Sequence, residues 1–301
     1  MLGGDLVAAC RDRGHDVVGL TRAELDVTDR TAVATALVSL RPDAVANCAA
    51  YTYVDGAETD EAAAMRVNDG GAGMLATAAA RAGAKVLYPS TDYVFDGRER
   101  RPYVESDSTG AISAYGRSKE AGETAVASAN PRHFIVRAAW LFGVRGRNFV
   151  ETMLRIGHDQ PEVVVVSDQV GCPTYTGHLA AALAALLESE DYGAHHIAGA
   201  GEASWFDFAQ EIFDQADVDC RVLAGTTEML GRPAPRPGYS VLASERRGAR
   251  LLPDWRAGLA AYLAERERVG ALTTNPVAPG RIPASPGSPV ADAPSEEAAG
   301  W

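Results

Sequence analysis

Short apolar runs alternate with amphipathic stretches through the first half of this chain, and that alternation limits the fold more than any other feature. The runs His15–Leu20, Asp43–Cys48, Lys85–Ser90 and His133–Arg137 read as buried strands. Their apolar residues are consecutive rather than alternating, the pattern of a strand covered on both faces. Helical periodicity fills the intervals at roughly 4–13, 29–40, 58–82 and 114–129. Strands joined by helices in this way pair in parallel and carry helices on both sides, so the expected fold class is α/β, a doubly wound sheet of the Rossmann type. Val163–Val166 adds a further strand, and helical patterns follow at roughly 147–157, 176–189, 204–216 and 255–267. From about 269 to 301 the chain is Pro, Ala, Gly and Ser with almost no large apolar residue. Such a tail buries too little surface to offset its ordering entropy and is expected to be disordered.

At 301 residues and 47% hydrophobic content the chain has enough material for a substantial core. A net charge of −12 argues against nucleic acid and anionic membranes as partners. It leaves room for an anionic small molecule held by a local Arg cluster. Cys10, Cys48, Cys172 and Cys220 are scattered with no C-x-x-C spacing, so free thiols in a reducing compartment are expected, with no disulfide or metal site. With no signal peptide and no apolar run of about 18 residues, the chain reads as cytoplasmic.

The chemistry concentrates at Tyr115-Gly-Arg-Ser-Lys119. Only two lysines stand among 28 basic residues, and ten tyrosines are present, so about 0.07 Tyr-x-x-x-Lys pairs are expected by chance. Residues i and i+4 share a helix face, so the phenol and the ammonium can meet at one site. An ammonium beside a phenol is expected to lower its pKa towards neutrality and make it a usable acid–base group. Ser90-Thr91-Asp92 begins where the strand at 85–90 ends, the end of a doubly wound sheet at which ligands bind. A hydroxyl from Thr91 or Ser90 there could hydrogen-bond a substrate carbonyl while Tyr115 supplies its proton.

Thr91, Tyr115 and Lys119 together resemble the extended, sugar-nucleotide-modifying branch of the short-chain dehydrogenase/reductase superfamily. Within it the segments Asn47–Asp55, Ser90–Gly97, Arg137–Gly143 with Asn148-Phe149, Asp168–Thr174, and Arg236-Pro237 with Ser240 resemble the dTDP-4-dehydrorhamnose reductases. The resemblance runs from residue 2 to about 267. It implies a dinucleotide-binding domain over 1–145 and a mainly substrate-binding region over 146–268, with elements that return to the main sheet. It implies reduction of a nucleotide 4-keto-sugar, with Tyr115 protonating the C4 oxygen, Thr91 holding that oxygen, and Lys119 bonding the nicotinamide ribose. Ala49, Ala50 and Tyr51 would lie against the adenosine and ribose, and Arg236 would grip the diphosphate bidentately. Tyr93, Trp140 and Asn148 are further substrate-side candidates.

For the cofactor, Thr21 and Arg22 stand at the end of the 17–20 run, where an acid would select NADH and an Arg accommodates the 2′-phosphate of NADPH. NADPH is therefore expected, with NADH as the alternative; Asp26 and Val27 would border the adenine. Gly3 matches the last glycine of the family's G-x-x-G-x-x-G turn. The preceding strand and two glycines are expected upstream of Met1, as from a start assigned at an internal Met, with a real truncation or a fragment as the alternatives. The implied activity is NADPH-dependent formation of dTDP-L-rhamnose from dTDP-6-deoxy-L-lyxo-4-hexulose. Two rivals stand beside it: another nucleotide-sugar 4-keto reductase, and a non-catalytic nucleotide-binding regulatory subunit. The sequence is silent on a Mg2+ requirement and on oligomeric state, for which a homodimer is one open arrangement.

Overall fold

A computed structural model describes residues 1–274. Helix α1 (Leu2–Asp12) is followed by α2 (Arg30–Leu40) and strand β1 (Ala44–Ala46). Helices α3 (Val54–Thr59) and α4 (Glu61–Met65), a π-helical turn (Arg66–Gly71) and α5 (Ala72–Arg81) lead into β2 (Lys85–Thr91). Then come α6 (Ala114–Ala129), β3 (His133–Ala138), β4 (Leu141–Phe142), α7 (Phe149–Asp159), β5 (Glu162–Val166), β6 (Val170–Gly171), β7 (Thr174–Tyr175) and α8 (Thr176–Leu187). The rest is β8 (Gly193–His196), β9 (Ala203–Ser204), α9 (Trp205–Ala216), β10 (Arg221–Gly225), α10 (Thr227–Leu230) and α11 (Trp255–Thr274).

The main sheet has the order β1-β2-β3-β8, every pair parallel. Side chains of successive strand residues go to opposite faces, and the strands use both. Leu87, Phe134 and Val136 pack on one face with Leu2 and Leu6 of α1 and Leu179 and Leu183 of α8. Val86, Tyr88 and Ile135 pack on the other with Val33 and Leu37 of α2, Leu75 of α5 and Val126 of α6. This two-sided burial is why the strands read as continuous apolar runs. A second core forms where α7, α9 and α11 meet, around Phe142, Phe149, Met153, Phe208, Ile212 and Tyr262. There β5 pairs in parallel with β10 in a separate two-stranded sheet.

The structure departs from the sequence reading in four places. His15–Leu20 is not a strand, and Val18 and Leu20 are 57% and 44% exposed. Among the described residues β1 pairs only with β2, so no ladder runs along 15–20; the His15 N–H bonds the Cys10 carbonyl instead, and the Val17 carbonyl accepts from Arg11. The single helix expected over 58–82 is interrupted by Asp60, which caps α4 through its side chain, and by the π-helical turn. Strand β8 carries no apolar run and β10 only the short Val222-Leu223-Ala224, and the sequence reading predicts neither. Helix α11 continues to Thr274, past the expected tail boundary at 269, and the remainder of that tail lies outside the described residues. Among the described residues all four cysteines are free thiols, and no helix is long and apolar enough to cross a membrane.

Candidate active site

Strand β2 ends at Thr91 and the chain turns at once into a single 3-10 turn, Asp92–Val94, in which Thr91 Oγ1 accepts the Tyr93 N–H at 3.2 Å. Helix α6 starts opposite this turn. Ser113 caps it by accepting the Gly116 N–H at 3.1 Å, and the Ala114 N–H donates to Glu58 Oε1 at 2.8 Å. These bonds satisfy two of the donors that a helix start leaves open and fix its first turn, which carries Tyr115. The Thr91 hydroxyl bears on the Tyr115 phenol and favours its ionised form, and the Tyr115 ring meets Tyr93 edge-on at 5.8 Å between centroids. Lys119 lies one turn further along the same face. Its Nζ donates to the Pro89 carbonyl at 2.7 Å and sits 3.8 Å above the Tyr88 ring. The fold thus gathers Thr91, Tyr115 and Lys119 at the C-terminal end of β2.

The electrostatics differ from the simple expectation of an ammonium lowering a phenol. Burial pushes the Tyr115 phenol up to about 12, and the Thr91 hydroxyl beside it only partly offsets this. Burial likewise pulls Lys119 down to about 7, against the opposing influence of Glu123 and Cys48. Lys119 directs its protons at Pro89 and Tyr88 rather than at Tyr115, so the phenol is a protonated acid throughout the physiological range.

A cleft lined by Tyr93, Phe149, Met153, Trp205, Arg232 and Arg236 lies alongside, with β5 forming part of its wall. Its basic end is organised by Asp55, in the first turn of α3. Asp55 faces Arg236 Nη1 at 3.1 Å and Nη2 at 3.2 Å, faces Arg232 Nη1 at 3.3 Å, and accepts the Ala234 N–H at 3.2 Å. Burial works to raise the Asp55 carboxyl, but the two guanidinium groups prevail and hold it below the usual range. Arg236 also bears on the Tyr93 phenol, opposing the burial that pushes it up, and both line the cleft. Sequence reasoning singled out Arg236 but missed Arg232 and Asp55, although the close spacing of two arginines in a Pro-rich loop was a readable signal. It also missed Trp205. The structure lines the cleft with Trp205, while Trp140, held at φ 48°, stacks on it at 3.6 Å between ring centroids. Asn148 is held by the local backbone. Its amide donates to the Gly143 and Gly146 carbonyls and accepts the Glu151 N–H, so it caps α7 and shapes the preceding loop.

The expected cofactor-side residues are distributed around the end of β1. Gly3, in the first turn of α1, lies against Cys48, since a Cβ placed there would be 3.2 Å from Cys48 Cβ. Ala49 and Ala50 are exposed. Tyr51 is held by Asn68, which accepts its N–H at 2.9 Å, donates to its carbonyl at 3.0 Å, and also donates to Ser118 Oγ on α6 at 2.9 Å. Asn68 escaped the sequence reading; it ties the Ala49–Tyr51 loop to the helix that bears Tyr115. Asn47 leaves both side-chain amide atoms buried and unpartnered at the end of β1. An open Ala-Ala loop, a helix N-terminus and an orphaned amide at a strand end together fit a dinucleotide. Further out, Thr21 and Arg22 are exposed. An acid does stand there, because the Thr21 N–H and hydroxyl donate to Glu24 at 2.7 and 2.8 Å. Asp26 accepts the Thr28 N–H and hydroxyl, and Val27 is buried against Gly71. Among the described residues no cluster of His, Cys, Asp or Glu is placed to hold a metal ion.

A parallel sheet wound on both faces, with Thr at a strand end and Tyr-x-x-x-Lys on the next helix, defines a reductase of the short-chain dehydrogenase/reductase class. Residues 1–268 match the family described as the RmlD substrate binding domain, and the chain belongs to that family. It is 44% identical to a dTDP-4-dehydrorhamnose reductase of Streptomyces griseus, over 86% of this chain and 88% of that protein. It is 46% identical to a probable dTDP-4,6-dihydroxy-2-methyloxan-3-one 4-ketoreductase of Streptomyces antibioticus, over 86% of this chain and 90% of that protein. Among solved structures, the dTDP-4-dehydrorhamnose reductase of Bacillus anthracis in complex with NADP superimposes with a TM-score of 0.85 at 38% identity, over 88% of this chain and 95% of that one.

Proposed function

We propose that this chain reduces the C4 keto group of dTDP-6-deoxy-L-lyxo-4-hexulose to give dTDP-L-rhamnose, with NADPH as the reductant. The observation that carries the reading is the gathering of Thr91 and Tyr115 at the end of β2, with Lys119 one helical turn behind. NADPH, when bound, supplies a hydride to C4. Gly3, Ala49, Ala50, Tyr51 and Lys119 would hold it. Tyr115 donates its phenolic proton to the C4 oxygen, and its high pKa keeps that proton available at neutral pH. Thr91 donates its hydroxyl proton to that oxygen and so fixes its position, and the positive charge of Lys119 offsets the phenolate left on Tyr115. Arg236 and Arg232 take the diphosphate, which replaces Asp55 as their anionic partner and suits the bidentate guanidinium fork. Trp205 and Phe149 form the apolar wall. Residues 1–145 serve as the dinucleotide-binding part and 146–268 mainly as the substrate part, although α8 and β8 complete the first.

Likeness to the Streptomyces antibioticus protein supports a second reading, a different dTDP-linked keto-sugar as substrate. A purely regulatory role is disfavoured, because a binding module has no use for a phenol, a hydroxyl and an ammonium gathered at one strand end. The deciding assay presents dTDP-4-keto-6-deoxysugars of both C5 configurations and follows NADPH oxidation and product identity. Oxidation with the L-lyxo sugar is expected; NADPH binding without oxidation of any nucleotide 4-keto-sugar would remove the reductase reading.

Cofactor preference is assigned to Arg22, whose guanidinium can meet a 2′-phosphate, while Glu24 is engaged by Thr21. Arg22→Ala is expected to raise the KM for NADPH about tenfold and leave that for NADH within about twofold, in line with the loss of one charge-assisted contact. Equal effects on both cofactors would show that Arg22 does not read the phosphate.

A further inference from the structure

Where α6 meets the end of β2 lies a buried ion pair, Glu123 with Arg137, to which the proposed reduction gives no task. Strand β2 closes with Pro89, Ser90 and Thr91, and α6 grips the first two. Lys119 Nζ donates to the Pro89 carbonyl at 2.7 Å, and the Ser90 hydroxyl donates to Glu123 Oε1 at 2.5 Å. Lys119 and Glu123 stand one helical turn apart on the same face of α6. From the sheet side Glu123 is held by Arg137 of β3, whose Nε donates to Oε1 at 3.0 Å and whose Nη2 donates to Oε2 at 2.7 Å. The remaining nitrogen, Nη1, lies 3.3 Å from His196 Nε2 of β8. Glu123 and Arg137 are 7% and 6% exposed.

The contacts fix where the protons lie. A guanidinium only donates, so His196 accepts at Nε2 and donates from Nδ1 to the Tyr103 and Ala243 carbonyls. The carboxylate between Ser90 and Arg137 only accepts, so the Ser90 proton is committed to Glu123. Ser90 therefore has no proton left for a substrate, and Thr91 is the hydroxyl that serves the keto oxygen. A buried ion pair gains little stability over a well-packed apolar pair of similar volume, so stability alone does not account for one beside Lys119. We propose that Glu123 is a positioning residue for the reduction: it locks the end of β2 against α6 and supplies the negative charge that keeps Lys119 an ammonium. The inference rests on the reductase reading, in which the Lys119 charge offsets the Tyr115 phenolate. Only hydrogen bonds and charges are involved, and no covalent bond forms or breaks.

Lys119 needs such a partner because it is 3% exposed, and burial pulls its ammonium down to about 7. Glu123 opposes that shift, followed by the Cys48 thiol just past β1. Burial pushes Cys48 up to about 11 and Tyr115 on α6 up to about 12, and it raises Tyr88 of β2 as well, so all three are neutral near pH 7. Behind them the Met1 amino group bears on Cys48, and Asp69 of the π-helical turn bears on Tyr88. Burial also holds His196, behind Arg137, below its ordinary value. Of the groups that bear directly on Lys119, Glu123 is thus the one that is charged. A lysine held below its ordinary value is charged below its folded pKa and neutral above it. The ammonium is therefore lost as pH rises through about 7, and at lower pH still once Glu123 is removed.

The chain has only two lysines, Lys85 and Lys119, so protein labelled with carbon-13 at lysine Cε gives two resonances, which Lys85→Arg assigns. The Lys119 titration by NMR and the pH dependence of kcat/KM for the sugar, from about pH 5.5 to 8.5, are compared in four proteins. These are wild type, Glu123→Gln, Arg137→Met and the double variant Glu123→Gln/Arg137→Met. The glutamine oxygen still accepts from Ser90 and Arg137 but carries no charge. Wild-type kcat/KM is expected to fall above about pH 7, as Lys119 loses its proton. Glu123→Gln should lower both the Lys119 titration and that limb by about one pH unit, or about tenfold in kcat/KM at pH 8. Arg137→Met leaves the carboxylate to Lys119 alone and should raise both. The double variant leaves no buried charge unpaired, so it decides the matter where a single variant does not fold, and it should shift downward as Glu123→Gln does. A purely structural ion pair would lower the melting temperature of the single variants and leave the Lys119 titration where it is in wild type. An unmoved Lys119 titration in the double variant, or shifts of the same sign in Glu123→Gln and Arg137→Met, overturns the proposal while leaving the reductase reading intact. If wild type oxidises no NADPH with any nucleotide sugar, that reading fails instead, and the lysine titration alone decides whether Glu123 holds the Lys119 charge.

Discussion

Tyr115→Phe is expected to lower kcat by about a hundred- to ten-thousandfold, the range for a lost general acid, while NADPH affinity changes little. The substitution is a clean one at this position. The Tyr115 ring packs edge-on against Tyr93 and beside Ala57, Ala64 and Ala114, contacts that a Phe ring reproduces. Only the hydroxyl is removed. Thr91 keeps the Tyr93 N–H and Asp92 as partners, so no buried polar atom is orphaned and stability should hold. Because burial holds the phenol at about 12, Tyr115 is fully protonated at neutral pH, as a proton donor must be. A single-turnover measurement with saturating NADPH separates chemistry from product release. Near wild-type turnover in Tyr115→Phe would take the proton donor away from Tyr115 and leave a bound water or Thr91 in its place.

Several parts of this arrangement could be read from the sequence because each depends on local pattern. Burial of β2 and β3 on both faces writes itself as consecutive apolar residues, and α6 came out at 114–129 because Ser113 stops the chain at its start. The i, i+4 spacing placed Tyr115 and Lys119 on one face without tertiary information. What escaped depends on long-range partners. The run His15–Leu20 is apolar enough for a strand, but strand formation needs a ladder, and no neighbour is present among the described residues. Strand β8, Gly-Ala-His-His, is held in the sheet by β3 and by His196 bonds to the Tyr103 and Ala243 carbonyls, none of them visible in its own composition. Asp55 and Arg236 are 181 residues apart in sequence and meet only after folding. Family resemblance had marked both segments but could not pair them. The direction of the Lys119 ammonium, towards Pro89 and Tyr88, is likewise a product of packing, and it reversed the simple expectation for the phenol.

Gly116→Ala is expected to have the second-largest effect, through a backbone contact rather than through chemistry. A Cβ at Gly116 would lie 2.3 Å from the Tyr93 carbonyl oxygen, 3.0 Å from Ala111 Cβ and 3.2 Å from Ser113 Oγ. The carbonyl cannot retreat, because its turn is pinned by the Tyr93 N–H bond to Thr91 and by the Asp92–Ser240 bond. The first turn of α6 must therefore move outward by about 1 Å to restore ordinary contact distances, at a cost of about 1–3 kcal/mol for overpacking. Higher helix propensity of Ala returns at most about 1 kcal/mol, so the clash wins. That movement carries Tyr115 away from Thr91, and a misplacement of about 1 Å at reacting groups can cost about a hundredfold in rate. The expected result is a Tm lower by roughly 2–8 °C, with kcat reduced about a hundredfold. Gly110→Ala is the control, since its Cβ would meet only Asp96 Cβ at an ordinary 3.8 Å, and it should match wild type in both measurements. A Gly116→Ala protein that melts and turns over like wild type would mean that α6 is not seated on the Asp92–Val94 turn, and the Tyr115–Thr91 contact on which the proposed chemistry depends would have to be abandoned.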